Sequence, residues 1–213
     1  MKKIVLILLA CLSITMVASA KSADDSKYLR GAVPEENGII VFRKGFRVTS
    51  KNQQQIYDVL KAWTQSMVDK SISAPGPYAR LQQDSSDTIA ARVVEWMTFK
   101  DKFLNLDQAR FRYQIAFFIK DGCVDIAITG LAYHYGADIQ TEQGGEFYRA
   151  EDWISDAQAV NKAGTKLYPK SAKFRRKTVD RMEAIFDEIM DLFTEKEPPV
   201  VETKKVRKGV EED

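Results

Sequence analysis

The segment from residue 110 to residue 131 constrains the fold more strongly than any other part of the chain. In its first half, large apolar residues alternate with polar or smaller ones, which is the period of two expected for a strand buried on one side. The apolar residues are Phe111, Tyr113, Ile115, Phe117 and Ile119. The next two residues, Asp121 and Gly122, match the type I′ turn that joins paired strands. The segment therefore predicts a β-hairpin.

The turn and the apolar pattern predict the same strand register. With Asp121 and Gly122 as the loop, Lys120 faces Cys123. The pairs on the apolar face are then Ile119 with Val124, Phe117 with Ile126, Ile115 with Ile128, and Tyr113 with Gly130. The pairs on the opposite face are Arg112 with Leu131, Gln114 with Thr129, Ala116 with Ala127, and Phe118 with Asp125. One face of the hairpin is expected to be apolar and the other mainly polar.

Residues 1–20 have the features of a secretory signal peptide. Two lysines precede an apolar run at residues 4–12, and a small-x-small cleavage pattern ends before Lys21. Cleavage there would leave no membrane-spanning anchor. Residues 8–11 also resemble a lipobox, but the residues after Cys11 are more apolar than the usual tether, so a lipid anchor at Cys11 is the less favoured interpretation. We therefore expect an exported protein.

Charge and cysteine content limit what the exported chain can do. Removing the leader takes two of the 32 basic residues and none of the 30 acidic ones, so 30 of each remain. A net charge near zero gives no general attraction to nucleic acid, and we expect no nucleic-acid partner. The mature chain keeps one cysteine, Cys123, and cannot form an intramolecular disulfide. An ordinary apolar core must therefore hold the domain together.

The remaining secondary structure is predicted from periodicity and capping signals. Residues 50–70 have the apolar stripe of an amphipathic helix, with Ser50 and Gln53 at the spacing of a capping box. Residues 171–193 form a second strong helix, and residues 151–163 have a weaker helical pattern. Strands are expected at residues 38–42, continued at 46–48 after a turn at Lys44 and Gly45, and at 78–83 and 88–99, with a loop at 136–145. Glu95 interrupts the apolar side of the strand at 88–99, so the orientation of that strand stays open.

These elements indicate an α+β fold, an antiparallel β-sheet with helices packed on one face, in the order β-α-β-β-β-β-α. Residues 38–194 are expected to form a single domain, with a C-terminal helical part at 151–194. Residues 21–37 are expected to be a flexible leader and residues 195–213 a disordered charged tail.

Three segments resemble a known family. The helix at residues 53–67, the strand at 87–93 and the strand and turn at 111–122 are similar to a bacterial domain of unknown function with a TBP-like fold, found mainly in exported proteins of Gram-negative bacteria. The resemblance covers about residues 40–135, and Tyr57 and Trp63 match its helix signature. It implies a helix-backed antiparallel sheet and a periplasmic or envelope location. It brings no activity or ligand, and the name of the fold is not evidence of DNA binding.

The sequence contains no catalytic motif. His134 is the only histidine, and a single histidine without a second ligand at the usual spacing does not predict a zinc site, even with Asp138 four residues on. Cys123 has no base near it in sequence and is expected to be a partly buried strand residue. We therefore predict no catalytic residue, no metal site and no cofactor.

The polar face of the hairpin is the candidate binding surface. If no helix covers it, it forms an open platform, and the competing interpretation is an ordinary solvated sheet face. The candidate residues are Arg110, Arg112, Gln114, Phe118, Thr129 and Leu131. A sugar platform could include Trp96 or Trp153, whereas Trp63 lies on the apolar stripe of its helix and belongs to the core.

A basic cluster opens the last helix. Basic residues at a helix N-terminus oppose the helix dipole, which leaves room for compensating acidic contacts. The cluster consists of Lys173, Arg175, Arg176 and Lys177.

We interpret the chain as an exported, non-enzymatic binding or envelope-associated module, whose partner is a protein or another cell-envelope component. The alternatives are a carrier of an apolar small molecule between the sheet and the last helix, and a hydrolase without a recognisable motif.

Overall fold

The computed structural model describes residues 24–71, 80–85, 87–102, 105–137 and 144–194. The predicted signal peptide with Cys11 and the predicted tail lie outside these residues. The strands are β1 (Glu35–Glu36), β2 (Ile39–Ile40), β3 (Phe42–Arg47), β4 (Arg80–Ser85), β5 (Thr88–Lys102), β6 (Asn105–Lys120), β7 (Cys123–Ala137) and β8 (Gly144–Arg149). The helices are α1 (Gln53–Asp69), α2 (Glu151–Ile154), α3 (Asp156–Ala159) and α4 (Pro169–Asp191).

Strands β3 to β8 form one antiparallel sheet, which confirms the predicted α+β fold. The strand order is β3-β7-β6-β5-β4, and β8 pairs with the second half of β7. Strands β1 and β2 form a separate small hairpin. The sequence does not predict β8, because this strand begins with two glycines, which are rare in strands and common in loops.

The hairpin of β6 and β7 has the predicted register next to its turn. Lys120 pairs with Cys123, and the pairing continues without a shift to Gln114 opposite Thr129. Over these residues the two-residue loop and the apolar alternation predicted the strand pairing correctly. The predicted turn type is wrong, because Gly122 has a positive φ but Asp121 does not, and a type I′ turn requires both. Both signals are local, so the sequence was sufficient to fix this part of the sheet.

Beyond Thr129 the predicted register is wrong because β7 contains a β-bulge. Gly130 adds one residue to β7, with a φ of 62°, in the left-handed region that favours glycine. Arg112 therefore pairs with Ala132 instead of Leu131. Leu131 turns into the core, where it is 1% exposed. The added residue reverses which side chains of β7 face the helices over the rest of the strand.

The apolar face of the hairpin forms one side of the hydrophobic core. The five predicted apolar residues of β6, from Phe111 to Ile119, are at most 1% exposed. Helices α1 and α4 lie over this face. Their fully buried apolar residues are Ile56 and Leu60 of α1 and Met182, Ile185 and Ile189 of α4. Burial of each large side chain stabilises by about 1.5–3 kcal/mol before the loss of chain entropy is subtracted.

Helix α1 begins at a different cap from the predicted one. The side chain of Asn52 accepts a hydrogen bond from the backbone N–H of Gln55 (3.0 Å), and the side chain of Gln55 accepts one from the backbone N–H of Asn52 (3.0 Å). The capping box is therefore Asn52 with Gln55, and not Ser50 with Gln53. Both pairs have the required spacing, and only the path of the chain into the helix selects between them.

The turn predicted at Lys44 and Gly45 is replaced by continuous strand, since both residues lie inside β3. Gly45 pairs with Asp125 of β7. A Cβ atom at position 45 would lie 2.7 Å from the Asp125 Oδ1 atom. This glycine therefore allows a close approach between two strands and does not mark a turn.

The structure also orients β5. Ile89, Ala91 and Val93 face the helices and are fully buried. Glu95, which interrupts this apolar face, accepts two hydrogen bonds from the guanidinium group of Arg181 in α4 (2.8 and 3.1 Å). The break in the apolar pattern is therefore an ion pair between the sheet and the helix.

Residues 24–33, which the composition places in a flexible leader, pack against α4. Arg175 of α4 is completely buried, and its Nε and Nη2 atoms donate hydrogen bonds to the backbone oxygens of Tyr28 and Leu29 (2.6 Å each). Its Nη1 atom donates to the backbone oxygen of Ile154 (2.5 Å), and Nη2 also contacts Asp156 (2.5 Å). Arg175 thus ties the N-terminal segment to the boundary between α2 and α3, where the single weak helix expected at 151–163 is divided.

Two other members of the basic cluster have acidic contacts as well. Lys173 lies 2.8 Å from the Asp107 carboxylate, and Arg176 makes two hydrogen bonds with Asp25 (2.6 and 2.7 Å). Together with Asp156 at Arg175, these contacts are the compensation that the cluster leaves room for. Three of the four cluster residues therefore hold the fold together, whereas Lys177 is exposed on the surface of α4.

We expect Arg175→Met to lower the free energy of unfolding by about 3–5 kcal/mol, because it leaves several buried carbonyl oxygens and the Asp156 carboxylate without their donor. The control is Arg176→Met, which removes a partly exposed pair and should cost about 1 kcal/mol or less. Urea unfolding of both variants measures the difference. Similar small losses in both would contradict the structural role of Arg175.

We expect Gly130→Ala to lower the free energy of unfolding by about 1–2 kcal/mol, because an alanine in the left-handed region is strained. The nearest atom to an added Cβ, Oε1 of Gln114, is 3.6 Å away, so crowding adds little. Gly130→Asn should cost less, since asparagine tolerates this conformation better than alanine. Thermal unfolding of the two variants provides the comparison, and an equal cost for both would show that backbone strain is not the cause.

Candidate functional site

The face of the sheet turned away from α1 and α4, called the open face below, carries polar, charged and aromatic side chains. Its positions alternate along each strand with residues that face the helices. The open face contains Arg92, Val94 and Trp96 of β5, Arg110, Arg112, Gln114 and Phe118 of β6, Asp125, Thr129, Ala132 and His134 of β7, and Phe147 and Arg149 of β8. It includes most of the residues that the sequence singles out as a binding surface.

One cross-strand row of the open face, the aromatic row, consists of Trp96, Arg110, His134 and Phe147. Each member is the direct partner of the next on the neighbouring strand. The guanidinium carbon of Arg110 lies 5.3 Å from the ring centre of Trp96, a cation–π contact. The rings of His134 and Phe147 are stacked, with centres 4.1 Å apart and an interplanar angle of 4°. Two flat aromatic surfaces therefore flank one arginine.

A second row, the arginine row, lies two residues further along the strands. It consists of Val94, Arg112, Ala132 and Arg149. Same-face neighbours on adjacent rows are about 7 Å apart, so long side chains of one row can reach the other. Arg112 and Arg149 therefore bring positive charge to the edge of the aromatic row.

Exposed apolar surface collects at the aromatic row. Trp96 is 37% exposed, Phe147 is 72% exposed and neighbouring Leu106 is 50% exposed. A cleft of 230 Å³ opens here. Its lining includes Trp96, Leu106, Gln108, Arg110 and His134. Exposed aromatic and apolar side chains that border a cleft are characteristic of a contact surface, since elsewhere such residues gain stability by burial.

The open face has an excess of positive charge around this cleft. Arg92, Arg110, Arg112 and Arg149 lie on three strands of the same face. Among the open-face side chains that the structure describes, the acidic one is Asp125, next to the hairpin turn and far from the cleft. Arg149 has longer contacts with Glu151 (3.5 Å) and Asp152 (3.9 Å). The charge therefore favours an anionic partner.

Asp107 lines the cleft, but its carboxylate is paired with Lys173 of α4, on the helix side of the sheet. Burial alone would raise the pKa of its carboxyl group, but hydrogen bonds from Lys173 and Tyr135 outweigh burial, and the pKa lies below its usual value. Asp107 therefore stays ionised and bound to Lys173 of α4. It does not neutralise the arginines of the open face.

The six predicted binding residues do not form a single patch. Arg110, Arg112, Gln114 and Thr129 share the open face as expected, although Arg110 is only 8% exposed. Phe118 is 44% exposed on the same face, but it lies next to the hairpin turn, far along β6 from the cleft. The placement of Leu131 on this face is wrong, because the bulge before it turns its side chain into the core.

Three of the four residues in the aromatic row were not in the predicted surface. Trp96 could not be assigned a face, because Glu95 obscured the orientation of β5. His134 is brought to this face by the bulge at Gly130, and Phe147 lies on the unpredicted strand β8. The alternation of Phe147 and Arg149 after two glycines was the one signal in the sequence that could have indicated this strand.

The geometry around His134 and Cys123 offers no catalytic arrangement in the described part of the chain. The Nε2 atom of His134 lies 2.9 Å from the backbone oxygen of Gly144. Cys123 is a half-buried free thiol. No group of three histidine, cysteine or acidic residues that could hold a metal ion occurs among the described residues, and Asp138 lies outside them.

A second cleft, of 250 Å³, lies where β5 meets the end of α1 and the middle of α4. Its lining includes Lys70, Glu95, Arg181 and Glu188. These are charged groups, and Arg181 binds both glutamates. An apolar carrier needs an enclosed apolar cavity between sheet and helix, and this cleft does not have that character.

No helix in the described ranges is long and apolar enough to cross a membrane.

Comparison with known proteins gives a family and a fold. A family model described as a domain of unknown function (DUF4468) with TBP-like fold matches residues 42–134. The crystal structure of a DUF4468 family protein from Bacteroides ovatus is 35% identical to this chain and superposes with a TM-score of 0.71, over 81% of this chain and 96% of that one. No curated protein matches the chain.

A second solved structure is similar in fold. It is a TBP-like protein from Parabacteroides distasonis, 16% identical, with a TM-score of 0.58 over 76% of this chain and 97% of that one. Both similarities agree with the sheet and helix arrangement described above. Neither description names a ligand, an activity or a partner.

We expect Phe147→Ala to lower the free energy of unfolding by about 1 kcal/mol or less, because the ring is mostly exposed and loses mainly its stacking on His134. Phe111→Ala, on the buried face of the same sheet, should cost about 3–5 kcal/mol. Urea unfolding of both variants measures this difference. A similarly large cost at Phe147 would mean that the exposed ring is needed for folding and is not kept for contact with a partner.

Proposed function

Because this chain belongs to the DUF4468 family of domains with a TBP-like fold, to which no activity is attached, we propose from its own geometry that it is a binding module. In this proposal the protein is exported, resides in the periplasm or at the cell envelope, and holds a protein or another envelope component on its open face. The leader at residues 1–20 supports export. The observation that carries the binding role is the aromatic row beside the arginine row.

The arginine row supports this role because its charge is available. Arg112 is half-buried and has no ion-pair partner among the described residues, and Arg149 is 67% exposed with only longer acidic contacts. An arginine held in place by its neighbours can make two parallel hydrogen bonds to a carboxylate or phosphate with little further loss of entropy. The open face therefore offers directed donors for a partner.

The local chemistry supports binding over catalysis. A hydrolase needs a nucleophile next to a base, and in the described chain Cys123 and His134 lie at opposite ends of β7. His134 is stacked on Phe147 and contacts a backbone oxygen, which suits a structural or contact role. The proposed function is therefore non-enzymatic.

We expect Arg112→Glu to reduce capture of envelope material about tenfold, because it replaces an anion-binding group with a like charge. The purified mature protein is immobilised and exposed to a bacterial envelope extract, and bound material is quantified. The melting temperature should change by no more than about 4 °C, corresponding to about 1 kcal/mol.

The matched control is Lys177→Glu, which makes the same charge change at an exposed position of α4, on the other side of the sheet. This variant should capture as much as the unaltered protein. If Arg112→Glu and Lys177→Glu capture equal amounts, the open face is not the contact surface and the proposed function is wrong.

A further inference from the structure

We infer that the cleft at the aromatic row binds an acidic sugar residue of an anionic glycan. This inference rests on the proposed function, since it names the chemical class of the partner held on the open face. It requires a ligand with three features together: a negative charge, a ring with an apolar side, and hydroxyl groups. The described residues of the cleft and of the open face around it provide a matching group for each.

The arginines are the reason to expect a negatively charged ligand. Arg110 lies in the wall of the cleft, and Arg112 stands next to it on the same strand and face. Arg110 is held against the Trp96 ring, so its guanidinium group is already oriented. Guanidinium groups bind carboxylates and sulfates through paired hydrogen bonds. The charge that a ligand would meet is supplied by Arg112, which has no ion-pair partner among the described residues and lies beside the cleft.

The two aromatic surfaces are the reason to expect a ring with an apolar side in the ligand. Trp96 lies on one side of Arg110, and the parallel rings of His134 and Phe147 lie on the other. A sugar ring presents C–H groups on one side, which pack against the negative face of an aromatic ring. The high exposure of Phe147 leaves its outer surface free for this contact. A simple inorganic anion would use the arginines and leave these rings exposed.

The neutral polar side chains of this face are the reason to expect hydroxyl groups on the ligand. Gln108 lines the cleft, and Gln114 and Thr129 form a pair on the same face. Amide and hydroxyl groups both donate and accept hydrogen bonds, as sugar hydroxyls require. The volume of 230 Å³ is below the usual range for a drug-sized ligand, which favours one ring in the cleft with the rest of a chain extending over the arginine row.

Two other anionic polymers fit less well. Affinity for single-stranded nucleic acid depends on many phosphate contacts, and the formal net charge of the whole chain is only +2. An acidic peptide would satisfy the arginines, but its flexible side chains offer no flat surface for Trp96 or Phe147. In an acidic glycan the charge and the flat ring belong to the same sugar residue, so one residue can contact both an arginine and an aromatic ring.

The test uses the full mature protein and isothermal titration calorimetry with defined probes. Tetragalacturonic acid and a chondroitin sulfate tetrasaccharide supply carboxylate and sulfate groups on sugar rings. The methyl ester of tetragalacturonic acid keeps the rings and removes the charge, so it tests the charge without any change to the protein. We expect at least one acidic tetrasaccharide to bind, and the methyl ester to bind about tenfold more weakly than the acid where the uronate is the ligand.

Variants locate the binding. Trp96→Ala and Arg112→Gln should each weaken binding of the acidic tetrasaccharide about tenfold. Phe118→Ala removes an exposed aromatic ring from the same face near the turn and should leave binding unchanged. Each variant is first compared with the unaltered protein by thermal unfolding. Equal weakening by Phe118→Ala would show that the binding is not at the cleft.

The remaining outcomes separate this inference from the proposed function. If neither acidic tetrasaccharide binds at millimolar concentration, the inference is wrong. The inference is also overturned if a twelve-nucleotide oligothymidine or polyglutamate binds more tightly than either acidic tetrasaccharide and this binding depends on Trp96 and Arg112. In that case the proposed function stands, because the open face is still a binding surface. If no probe binds and Arg112→Glu does not alter capture from the envelope extract, both proposals fail.

Discussion

The packing of the apolar face of the β6–β7 hairpin against α1 and α4 is the interaction on which the rest of the structure depends. Side chains alternate between the two faces of a strand, so burying Phe111 and its alternating neighbours under the helices forces Arg110 and Arg112 to the other side. The same burial that stabilises the domain therefore exposes an arginine-bearing sheet face. The open face is a geometric consequence of the core.

The bulge at Gly130 decides what joins those arginines. With an uninterrupted register, Tyr133 would lie opposite Arg110 on the open face, and His134 would point into the core. The extra residue exchanges the two: Tyr133 is fully buried, with its hydroxyl 2.6 Å from that of Thr178, and His134 stacks on Phe147 outside. A single glycine in the left-handed conformation thus moves a large polar aromatic ring into the core and completes the aromatic row.

Charged groups were the least predictable part of the fold. The basic cluster of α4 looks like a surface feature in the sequence, yet Arg175 is completely buried and bound to three backbone oxygens. These acceptors come from the N-terminal segment and from the end of α2. Such partners are distant in sequence and have no local pattern, because a backbone oxygen exists at every residue. Nothing local could distinguish Arg175 from its exposed neighbour Lys177.

The sequence by itself determined the hairpin, its register up to Thr129, the two long helices and the α+β class, because turn chemistry and apolar periodicity are properties of neighbouring residues. It also placed Arg110, Arg112 and Gln114 on one face. Only the tertiary structure decided that Leu131 is buried, that β8 exists, and that Trp96, Arg110, His134 and Phe147 form one row. These four residues come from four strands, and their alignment depends on a bulge and on pairing between distant segments, whose registers no local pattern records.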